Sequence, residues 1–429
     1  MGTSGKIRVG IVGVQMAGTF HYETLKRVYG IDVDVVGVTS NRPETREEFA
    51  QRYGIRAFES VDAMIDAVDV VDICAPPYVH EPITVQAAEA GKHIIVEKPF
   101  TGSFLNQQTY DAQDTKDGTF NEQRYREAVG SAERMVEAVR KSGVIMNFAE
   151  NWHFLPAGIK AAQLMMSAAH KKVQNPDGTW VQGELDPAAQ VLYIRAEGSH
   201  SGSGSPVYGD LQYAGGGSVV GKTCHPMGFV LYLKRLEGIV RHGKPIEPVS
   251  VSGHISYLTM GGYQDPDYQN PRKIRSNYVD GEDWSAIDIV FSDDTRARIE
   301  ATDIKLGGVY NWFEVFGNKF FVRGNVNPSN TLQAYAPSAE IFEPEYLVEK
   351  LEFGGGFSNV AVDENMDHGY QQQMQIFFDR IANPQKQWEP PLLDPAQDCD
   401  LALDSVKVMY AAYISAERGS VYVALDDLG

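Results

Sequence analysis

The first hundred residues alternate short aliphatic runs with helical stretches, and this alternation constrains the fold more than any other feature of the chain. The aliphatic runs are residues 6–14, 32–40, 68–77 and 93–96, of which the last reads HIIV. Uninterrupted runs of Val and Ile are typical of parallel strands, because helices cover both faces of such a sheet. The sequence therefore predicts an α/β fold with an N-terminal doubly wound parallel sheet, a fold that binds ligands beyond the carboxyl ends of its strands.

The stretches between these runs carry helix signals. Residues 17–30 and 42–54 have helical spacing and end in glycine, and residues 80–92 place Pro82 in the first turn and Gly91 near the end. Proline at the start and glycine past the end are positions that helices favour. We expect this alternation to form one dinucleotide-binding domain that ends at residue 149.

The remaining residues, 150–429, follow a different pattern. Several segments between residues 191 and 325 alternate apolar and polar positions at period two, which predicts an open, mostly antiparallel sheet. The closing segments 370–383 and 400–419 predict helices that pack back on the first domain. Four long polar stretches are expected to form lids or binding loops, with oligomer contacts as the alternative; they are residues 101–123, 170–187, 197–217 and 261–284.

Composition excludes several classes of protein. The net charge of −19 argues against a nucleic-acid or anionic-membrane surface, because phosphate groups require clustered Lys and Arg. No run of about 18 apolar residues occurs, and we expect a cytoplasmic protein without membrane contact. The three cysteines are far apart and form no CxxC pair, so we expect neither a disulfide framework nor a bound metal.

The first strand-to-helix turn, GIVGVQMAGTFH, matches two of the three glycines of the dinucleotide fingerprint GxGxxG. Gly13 allows the tight turn and Gly18 the close packing of helix on strand, while Gln15 stands where the middle glycine leaves room for pyrophosphate. We predict that Gly13, Gln15, Met16 and Gly18 contact a dinucleotide. A turn that binds no nucleotide is the alternative.

The end of the second run distinguishes the two nicotinamide cofactors. A site for NAD usually offers an acidic residue there, but this chain has Ser40, Asn41 and Arg42. A hydroxyl, an amide and a guanidinium suit the 2′-phosphate of NADP, which Arg binds in bidentate fashion. The sequence therefore favours NADP weakly over NAD, unless Arg42 only begins the solvated face of the next helix.

Further candidate cofactor contacts follow the next two runs. Ala75 and Pro76 lie at the end of the third run, His80 follows that run, and Glu97 and Lys98 come directly after HIIV. Charge is costly at the end of a buried strand unless it has a function or a partner. Because ligands in this fold lie at the carboxyl ends of the strands, Glu97 and Lys98 are at the expected position of the chemistry.

Residues 68–100, VDVVDICAPPYVHEPITVQAAEAGKHIIVEKPF, resemble the glucose–fructose oxidoreductase / inositol dehydrogenase / MocA family of NAD(P)-dependent sugar and cyclitol oxidoreductases. The tripeptide EKP is the signature of that family. The resemblance continues in NFAENWHFLPA (147–157), GGGSVVGKTCHP (215–226) and VMYAAYISAERGSVYVAL (408–425). It implies a Rossmann domain followed by an open-sheet domain, whose exposed face often joins subunits into a dimer or tetramer.

The resemblance also implies roles for residues. The lysine of EKP maps onto Lys98 and the active-site histidine onto His225. Many family members have Asp four residues before that histidine and Gly two before it, but this chain has Gly221 and Thr223, with Lys222 between them. This departure argues against a mechanism that needs an Asp–His pair. It also predicts that Lys222 lies near Lys98 as a second cation.

Lys98 and His225 are therefore the predicted acid and base for oxidation of a ring carbinol. Burial and the cationic ring of an oxidised cofactor are expected to lower the pKa of Lys98, while histidine titrates near 6.5 without adjustment. Glu97 would orient Lys98 or the cofactor, and the Lys98–Pro99 bond could be cis. The candidate substrate contacts are Lys98, Asn151, Trp152, Lys222 and His225.

Three functions are compatible with these features. The first is an NAD(P)-dependent oxidoreductase acting on a secondary hydroxyl, or the ketone, of a sugar, cyclitol or glycoside. The second is redox-neutral sugar chemistry in which a tightly held cofactor returns the hydride. The third is a non-catalytic nucleotide-sensing module, which would need neither Lys98 nor His225.

Overall fold

In the computed structural model, ten stretches of the chain are described, and statements about structure refer to them alone. They are residues 5–104, 120–202, 207–259, 274, 280–326, 332–338, 356–360, 363, 367–386 and 393–428. Most of two predicted loops, 101–123 and 261–284, lies outside these residues. No helix within the described ranges is both long and apolar enough to cross a membrane.

A six-stranded parallel sheet forms the N-terminal part, with strand order β3-β2-β1-β4-β5-β6. The strands are β1 (Ile7–Val12), β2 (Val33–Thr39), β3 (Arg56–Ala57), β4 (Val70–Ile73), β5 (His93–Glu97) and β6 (Met146–Ala149). Every residue of β4 and β6 is buried, as expected for strands covered on both faces. The predicted doubly wound fold is confirmed.

Helices cover both faces of this sheet. They are α1 (Met16–Leu25), α2 (Pro43–Tyr53), α3 (Val61–Ile65), α4 (His80–Glu89) and α5 (Glu122–Ser142). The side chain of Asn121 caps α5 by accepting the N–H of Arg124, and Gly143 ends the helix in the left-handed region. Strand β3 and helix α3 were not predicted, because elements of two and five residues are too short to show periodicity.

The second sheet has seven strands in the order β14-β13-β9-β12-β11-β10-β17. They are β9 (Val191–Ser199), β10 (Pro248–Ser256), β11 (Trp284–Phe291), β12 (Arg296–Thr302), β13 (Tyr310–Gly317), β14 (Phe321–Asn325) and β17 (Val423–Ala424). All neighbouring pairs are antiparallel except β9 and β12, which run parallel. The predicted mostly antiparallel sheet is therefore also confirmed.

Two separate pairs of strands accompany the sheets. Strands β7 (His170–Gln174) and β8 (Trp180–Leu185) pair antiparallel, as do β15 (Leu332–Ala336) and β16 (Gly356–Val360). Strands β7 and β8 lie in the stretch 170–187, for which the prediction of a loop was wrong. Its polar composition suggested a loop, but Gly178 in the left-handed region closes a turn between two short exposed strands.

Helices of the second part connect the two sheets. They are α6 (Pro156–Ala168), α7 (Leu211–Ala214), α8 (Cys224–His242), α9 (Tyr370–Ala382) and α10 (Pro395–Glu417). Helix α10 packs against α5 and β6 on one side and β10 on the other, and α9 packs against α1. The prediction that the closing helices return to the first part is confirmed. We propose a domain boundary after Ala149, where the last strand of the first sheet ends.

Candidate active site

Lys98 lies directly after β5, at the carboxyl edge of the parallel sheet, and its peptide bond to Pro99 is cis. Its Nζ donates to the carbonyl oxygen of Gly221 at 3.2 Å and to the hydroxyl of Tyr208 at 3.3 Å. The same ammonium lies 5.0 Å from the centroid of the Tyr208 ring. Tyr208 was not predicted, because it lies in a polar stretch and no motif marks it.

Gly221 belongs to a short π-helical turn, Val219–Thr223, that leads directly into α8. His225 is the second residue of α8. The hydrogen bond from Lys98 to Gly221 therefore joins the end of β5 to the start of α8, across 123 positions of sequence. The two residues predicted as acid and base thus come from elements that contact each other directly.

His225 is held from two sides. Its Nδ1 lies 2.9 Å from Oε1 of Glu150, and its ring stacks on Trp152 with centroids 6.3 Å apart and planes 13° from parallel. Glu150 is fully buried and follows β6 directly. The missing Asp–His pair is thus replaced by a Glu–His pair, which the sequence did not reveal because its members are 75 residues apart.

The electrostatic environment moves the pKa values of Lys98 and His225 apart. Burial lowers the pKa of Lys98, but Tyr208, Cys224 and Glu97 outweigh it and raise that pKa well above its ordinary value. Burial, with the positive charges of Lys98 and Lys222, lowers the pKa of His225 well below its ordinary value. The expected lowering of the Lys98 pKa by burial is therefore corrected, since neighbouring acidic groups exceed the desolvation effect.

Lys222 lies beside this pair and not in open solvent. Its side chain is 13% exposed, and its Nζ lies 3.6 Å from Oδ1 of the buried Asp303. The ammonium is also 5.9 Å from the centroid of the Tyr208 ring, the ring that Lys98 contacts. His200 approaches the same carboxylate, with Nδ1 at 3.7 Å from Oδ1. The structure thus brings both lysines to one aromatic ring.

Glu97 belongs to a buried network that sequence reasoning missed. Its Oε1 lies 2.9 Å from Nε2 of His21, whose Nδ1 lies 2.9 Å from Oδ1 of Asp72. Burial lowers the pKa of His21, but Asp72 and Cys74 raise it well above the ordinary value, so the imidazolium links two carboxylates. Oε2 of Glu97 accepts the N–H of Lys98 at 3.0 Å. Glu97 therefore fixes the backbone of Lys98.

The turn between β1 and α1 packs so closely that two of its positions require glycine. Gly13 has a φ of +110°, and a Cβ there would lie 2.6 Å from the carbonyl oxygen of Cys74. A Cβ on Gly18 would lie 2.1 Å from the carbonyl oxygen of Gly13. Gln15 occupies the N-cap of α1 without capping it, and Met16 is 58% exposed. These residues fit a pyrophosphate at the positive end of α1.

The residues predicted to select the cofactor follow β2 in a row. Asn41 and Arg42 are exposed, and Arg42 stands at the N-cap position of α2. Ser40 is half-buried and donates from its hydroxyl to the carbonyl oxygen of Arg42 at 3.2 Å. Arg42 thus lies at the carboxyl edge of the parallel sheet, where the ribose of a dinucleotide is expected. The preference between NADP and NAD remains a prediction.

The ring of His80 lies against backbone carbonyl groups. The side chain is fully buried, with Nε2 at 2.8 Å from the carbonyl oxygen of Ala75 and Nδ1 at 3.1 Å from those of Pro99 and Phe100. The ring thus joins the loops after β4 and β5, and a cofactor contact of His80 remains a prediction. Ala75 and Pro76 lie in the first of these loops, where they remain candidate cofactor contacts.

Asn151 and Trp152 open a short 3₁₀ helix after Glu150, and both are 3% exposed. The amide Nδ2 of Asn151 donates to the carbonyl oxygen of His368 at 2.7 Å, so this amide holds the segment before α9. Trp152 lies against His225 and Phe229. Of the two predicted substrate contacts, Trp152 is the one adjacent to the candidate base.

Two clusters of potential metal ligands occur among the described residues, each with ligand atoms within 4.8 Å of one another. They are His21 with Asp72 and Cys74, and Glu150 with Cys224 and His225. In both clusters a hydrogen bond between imidazole and carboxylate accounts for the closeness. The expectation of no metal remains a prediction.

Comparison with known proteins agrees with this geometry. Residues 7–116 match the model of an oxidoreductase family with an NAD-binding Rossmann fold. UDP-N-acetylglucosamine 3-dehydrogenase of Acidithiobacillus ferrooxidans is 37% identical over 22% of this chain and 29% of its own length. Levoglucosan dehydrogenase of Pseudarthrobacter phenanthrenivorans is 25% identical over 76% of this chain and 75% of its own length.

Among solved structures, GenD2 from gentamicin A biosynthesis, in complex with NAD, superposes with a TM-score of 0.70. It is 20% identical, and the match covers 98% of this chain and 96% of that one, which shows a shared fold over both parts of the molecule. The match to the first relative covers less than a third of that protein, whereas the levoglucosan dehydrogenase match covers about three quarters of both chains. The first sheet of this chain is therefore similar to an oxidoreductase family with an NAD-binding Rossmann fold.

Proposed function

We propose that this protein is an NAD(P)-dependent oxidoreductase that transfers a hydride between nicotinamide and a secondary ring hydroxyl, or the corresponding ketone, of a sugar, cyclitol or glycoside. One observation carries the proposal. The hydrogen bond from Lys98 to Gly221 brings a cation at the carboxyl edge of the parallel sheet to the start of the helix that carries His225.

The divergent pKa values support a division of roles. When bound, the cofactor supplies the hydride acceptor. Lys98 keeps its proton and donates a hydrogen bond to the substrate oxygen, while the neutral His225 accepts the hydroxyl proton at Nε2. Groups whose environments push their pKa values apart are the usual acid and base of such sites. In ketone reduction the same proton returns from His225.

The cofactor would lie across the turn formed by Gly13, Gln15, Met16 and Gly18, with its nicotinamide near Lys98. We propose a weak preference for NADP, supported by the exposed Arg42 after β2 and by the lack of an acidic residue among Ser40, Asn41 and Arg42. Affinities for NADP⁺ and NAD⁺, measured side by side by fluorescence titration, decide this preference.

A carbohydrate substrate is supported by the similarity to a UDP-N-acetylglucosamine 3-dehydrogenase and to a levoglucosan dehydrogenase. Trp152 and Tyr208 provide aromatic faces for sugar C–H groups beside the charged site. We also propose a homo-oligomer joined through the outer face of the second sheet, where Phe321 and Leu192 are exposed. Light scattering on the purified protein gives its mass directly.

The decisive test replaces Lys98 with Ala. We expect kcat to fall by about 10²–10⁴-fold, the usual contribution of a positioned acid or base, while the cofactor dissociation constant changes little. A panel of sugars, inositols and glycosides, followed at the absorbance of reduced nicotinamide, measures kcat. The exposed Lys171, in the hairpin β7–β8, offers a matched Lys→Ala control that leaves both values unchanged.

Other outcomes separate the remaining functions. A wild-type protein that binds neither cofactor at millimolar concentration contradicts the proposal. Cofactor that copurifies and is reduced only within a single turnover supports the redox-neutral alternative. The sensing module is supported if the wild type shows no turnover and the Lys98→Ala variant binds a protein partner as well as the wild type does.

A further inference from the structure

Glu150 is a buried carboxyl group within hydrogen-bond distance of His225. It is fully buried, yet it follows β6 directly, at the same edge of the parallel sheet as Lys98. Its Oε1 accepts the N–H of Trp152 at 3.2 Å and lies 2.9 Å from Nδ1 of His225. Among the described residues, no partner is found for its other oxygen, Oε2.

The chemistry of Oε1 determines which proton His225 carries. A backbone N–H can only donate, so the Trp152 contact requires Oε1 to act as an acceptor. When Glu150 is ionised, or carries its proton on Oε2, the same atom also accepts from His225, and the proton of the neutral imidazole then belongs on Nδ1. Nε2 is left with its lone pair, as a proton acceptor requires.

We infer that Glu150 is the positioning residue of His225: it fixes the Nδ1–H tautomer and the ring orientation, and so makes Nε2 the proton acceptor. This inference rests on the proposed function for its catalytic consequence. Gly221, four residues before His225, has no side chain that could supply a carboxyl group. The carboxyl group comes instead from Glu150, directly after β6. Glu150 itself does not touch the substrate.

Other titratable and charged groups surround His225 and could compete for this role. They are Lys98 and Glu97 after β5, His153 in the 3₁₀ helix after Glu150, Lys222 and Cys224 at the start of α8, and Tyr208 beside Lys98. Among the described residues, Glu150 alone has an oxygen within hydrogen-bond distance of Nδ1. Burial raises the pKa of Glu150 well above its ordinary value, and either protonation state leaves an oxygen able to accept.

The first test needs no substrate. With ¹⁵N-labelled histidine, the signal that disappears in His225→Gln identifies His225, and its two nitrogen shifts report the tautomer at neutral pH. We expect protonated Nδ1 in the wild type and in Glu150→Gln, whose amide oxygen still accepts. In Glu150→Ala we expect a shift toward Nε2–H, the form that an unpartnered imidazole prefers.

The second test measures turnover with a substrate found in the panel. We expect kcat of Glu150→Ala to fall about 10- to 100-fold, part of the contribution of a positioned base, with the cofactor dissociation constant unchanged. Glu150→Gln should retain most of the activity. Glu237→Ala, a buried glutamate farther along α8 that pairs with Lys234 and Arg241, is the matched control: it should lower stability and leave the tautomer in place.

Two results overturn the inference. One is an Nε2–H tautomer of His225 in the wild type, since Glu150 would then donate the hydrogen bond to Nδ1 instead of accepting it. The other is a metal ion found by elemental analysis and lost in Glu150→Ala, since Nδ1 would then be a ligand. If the wild type shows the Nδ1–H tautomer but no sugar is oxidised, the proposed function fails and the positioning role of Glu150 stands.

Discussion

At the scale of single residues, the chemistry depends on charges that only the fold brings together. EKP identifies Lys98, and the resemblance identifies His225, but neither shows that Tyr208 lies beneath the ammonium or that Glu150 holds the imidazole. The expectation for the Lys98 pKa was wrong in direction, because burial was considered without the acidic groups that surround the side chain. Neighbouring charge raises the pKa of Lys98, whereas burial is the largest cause that lowers the pKa of His225.

Lys222 is the residue whose effect on His225 is easiest to isolate. Its positive charge lowers the pKa of His225, so Lys222→Met should raise that pKa. We expect the acid limb of the pH profile of kcat/KM to move up by about 0.5 to 1 unit, since unit charges about 4 Å apart interact by about 1 kcal/mol even in bulk water, and kcat to fall. Lys171→Met, in the exposed hairpin, should leave the limb in place. An unshifted limb in Lys222→Met would show that Lys222 does not act on the base.

At the scale of elements, the site depends on the π-helical turn Val219–Thr223 and its connection to the second sheet. Glu282, which precedes β11 and is fully buried, accepts the N–H of Val219 at 2.8 Å and that of Gly217 at 3.1 Å. It also accepts the hydroxyl of Tyr413 in α10 at 2.8 Å. One carboxyl group thus holds the turn that carries the carbonyl of Gly221.

This carboxyl group should make stability depend on pH. Burial raises the pKa of Glu282 from 4.5 to about 7, so the folded state binds a proton more tightly than the unfolded state. The resulting stability is present in full below pH 4.5 and is lost as the pH rises through about 7, by about 3 kcal/mol in total. Calorimetry of Glu282→Gln between these pH values should show this component missing. A pH dependence equal to that of the wild type would contradict the assignment, and the exposed Glu184→Gln serves as control.

At the scale of the whole molecule, α10 joins the two sheets into one structure. It packs against α5 and β6 of the first part and against β10 of the second. The hydroxyl of Tyr410, on α10, accepts the N–H of Ser103 at 2.6 Å and donates to the carbonyl oxygen of Gly215 at 2.9 Å. Residues from both parts therefore meet at one buried phenol.

Removal of this phenol should weaken both parts together. Tyr410→Phe leaves a buried N–H and a buried carbonyl without their partner, which we expect to cost about 1–3 kcal/mol of unfolding free energy. Urea denaturation, followed by fluorescence and by circular dichroism, should still show one transition at a lower midpoint. Tyr422→Phe, at a half-exposed tyrosine bonded to Arg296, should change stability by less than about 0.5 kcal/mol. Two separate transitions in Tyr410→Phe would show that the parts unfold independently.

The sequence by itself determined the features that depend on local periodicity. Aliphatic runs at residues 6–14 and 93–96 predicted buried parallel strands, and period-two alternation predicted the second sheet, because each pattern reflects which faces of a strand meet water. Gly13 and Gly18 were predictable from the glycine fingerprint, which is also local. A side chain at either position would clash with the backbone of the tight turn. The hairpin at residues 170–185 was missed because its exposed strands show no apolar face.

Only the tertiary structure decided which side chains meet. Glu150 and His225 are 75 residues apart, and Lys98 and Gly221 are 123 apart, so no spacing rule connects them. The position of His80 after a strand predicted a cofactor contact, but did not reveal that its ring lies against three backbone carbonyls. Periodicity determines which residues of an element are buried. Which side chains contact each other from distant positions in the sequence depends on how the ends of the strands pack against α8.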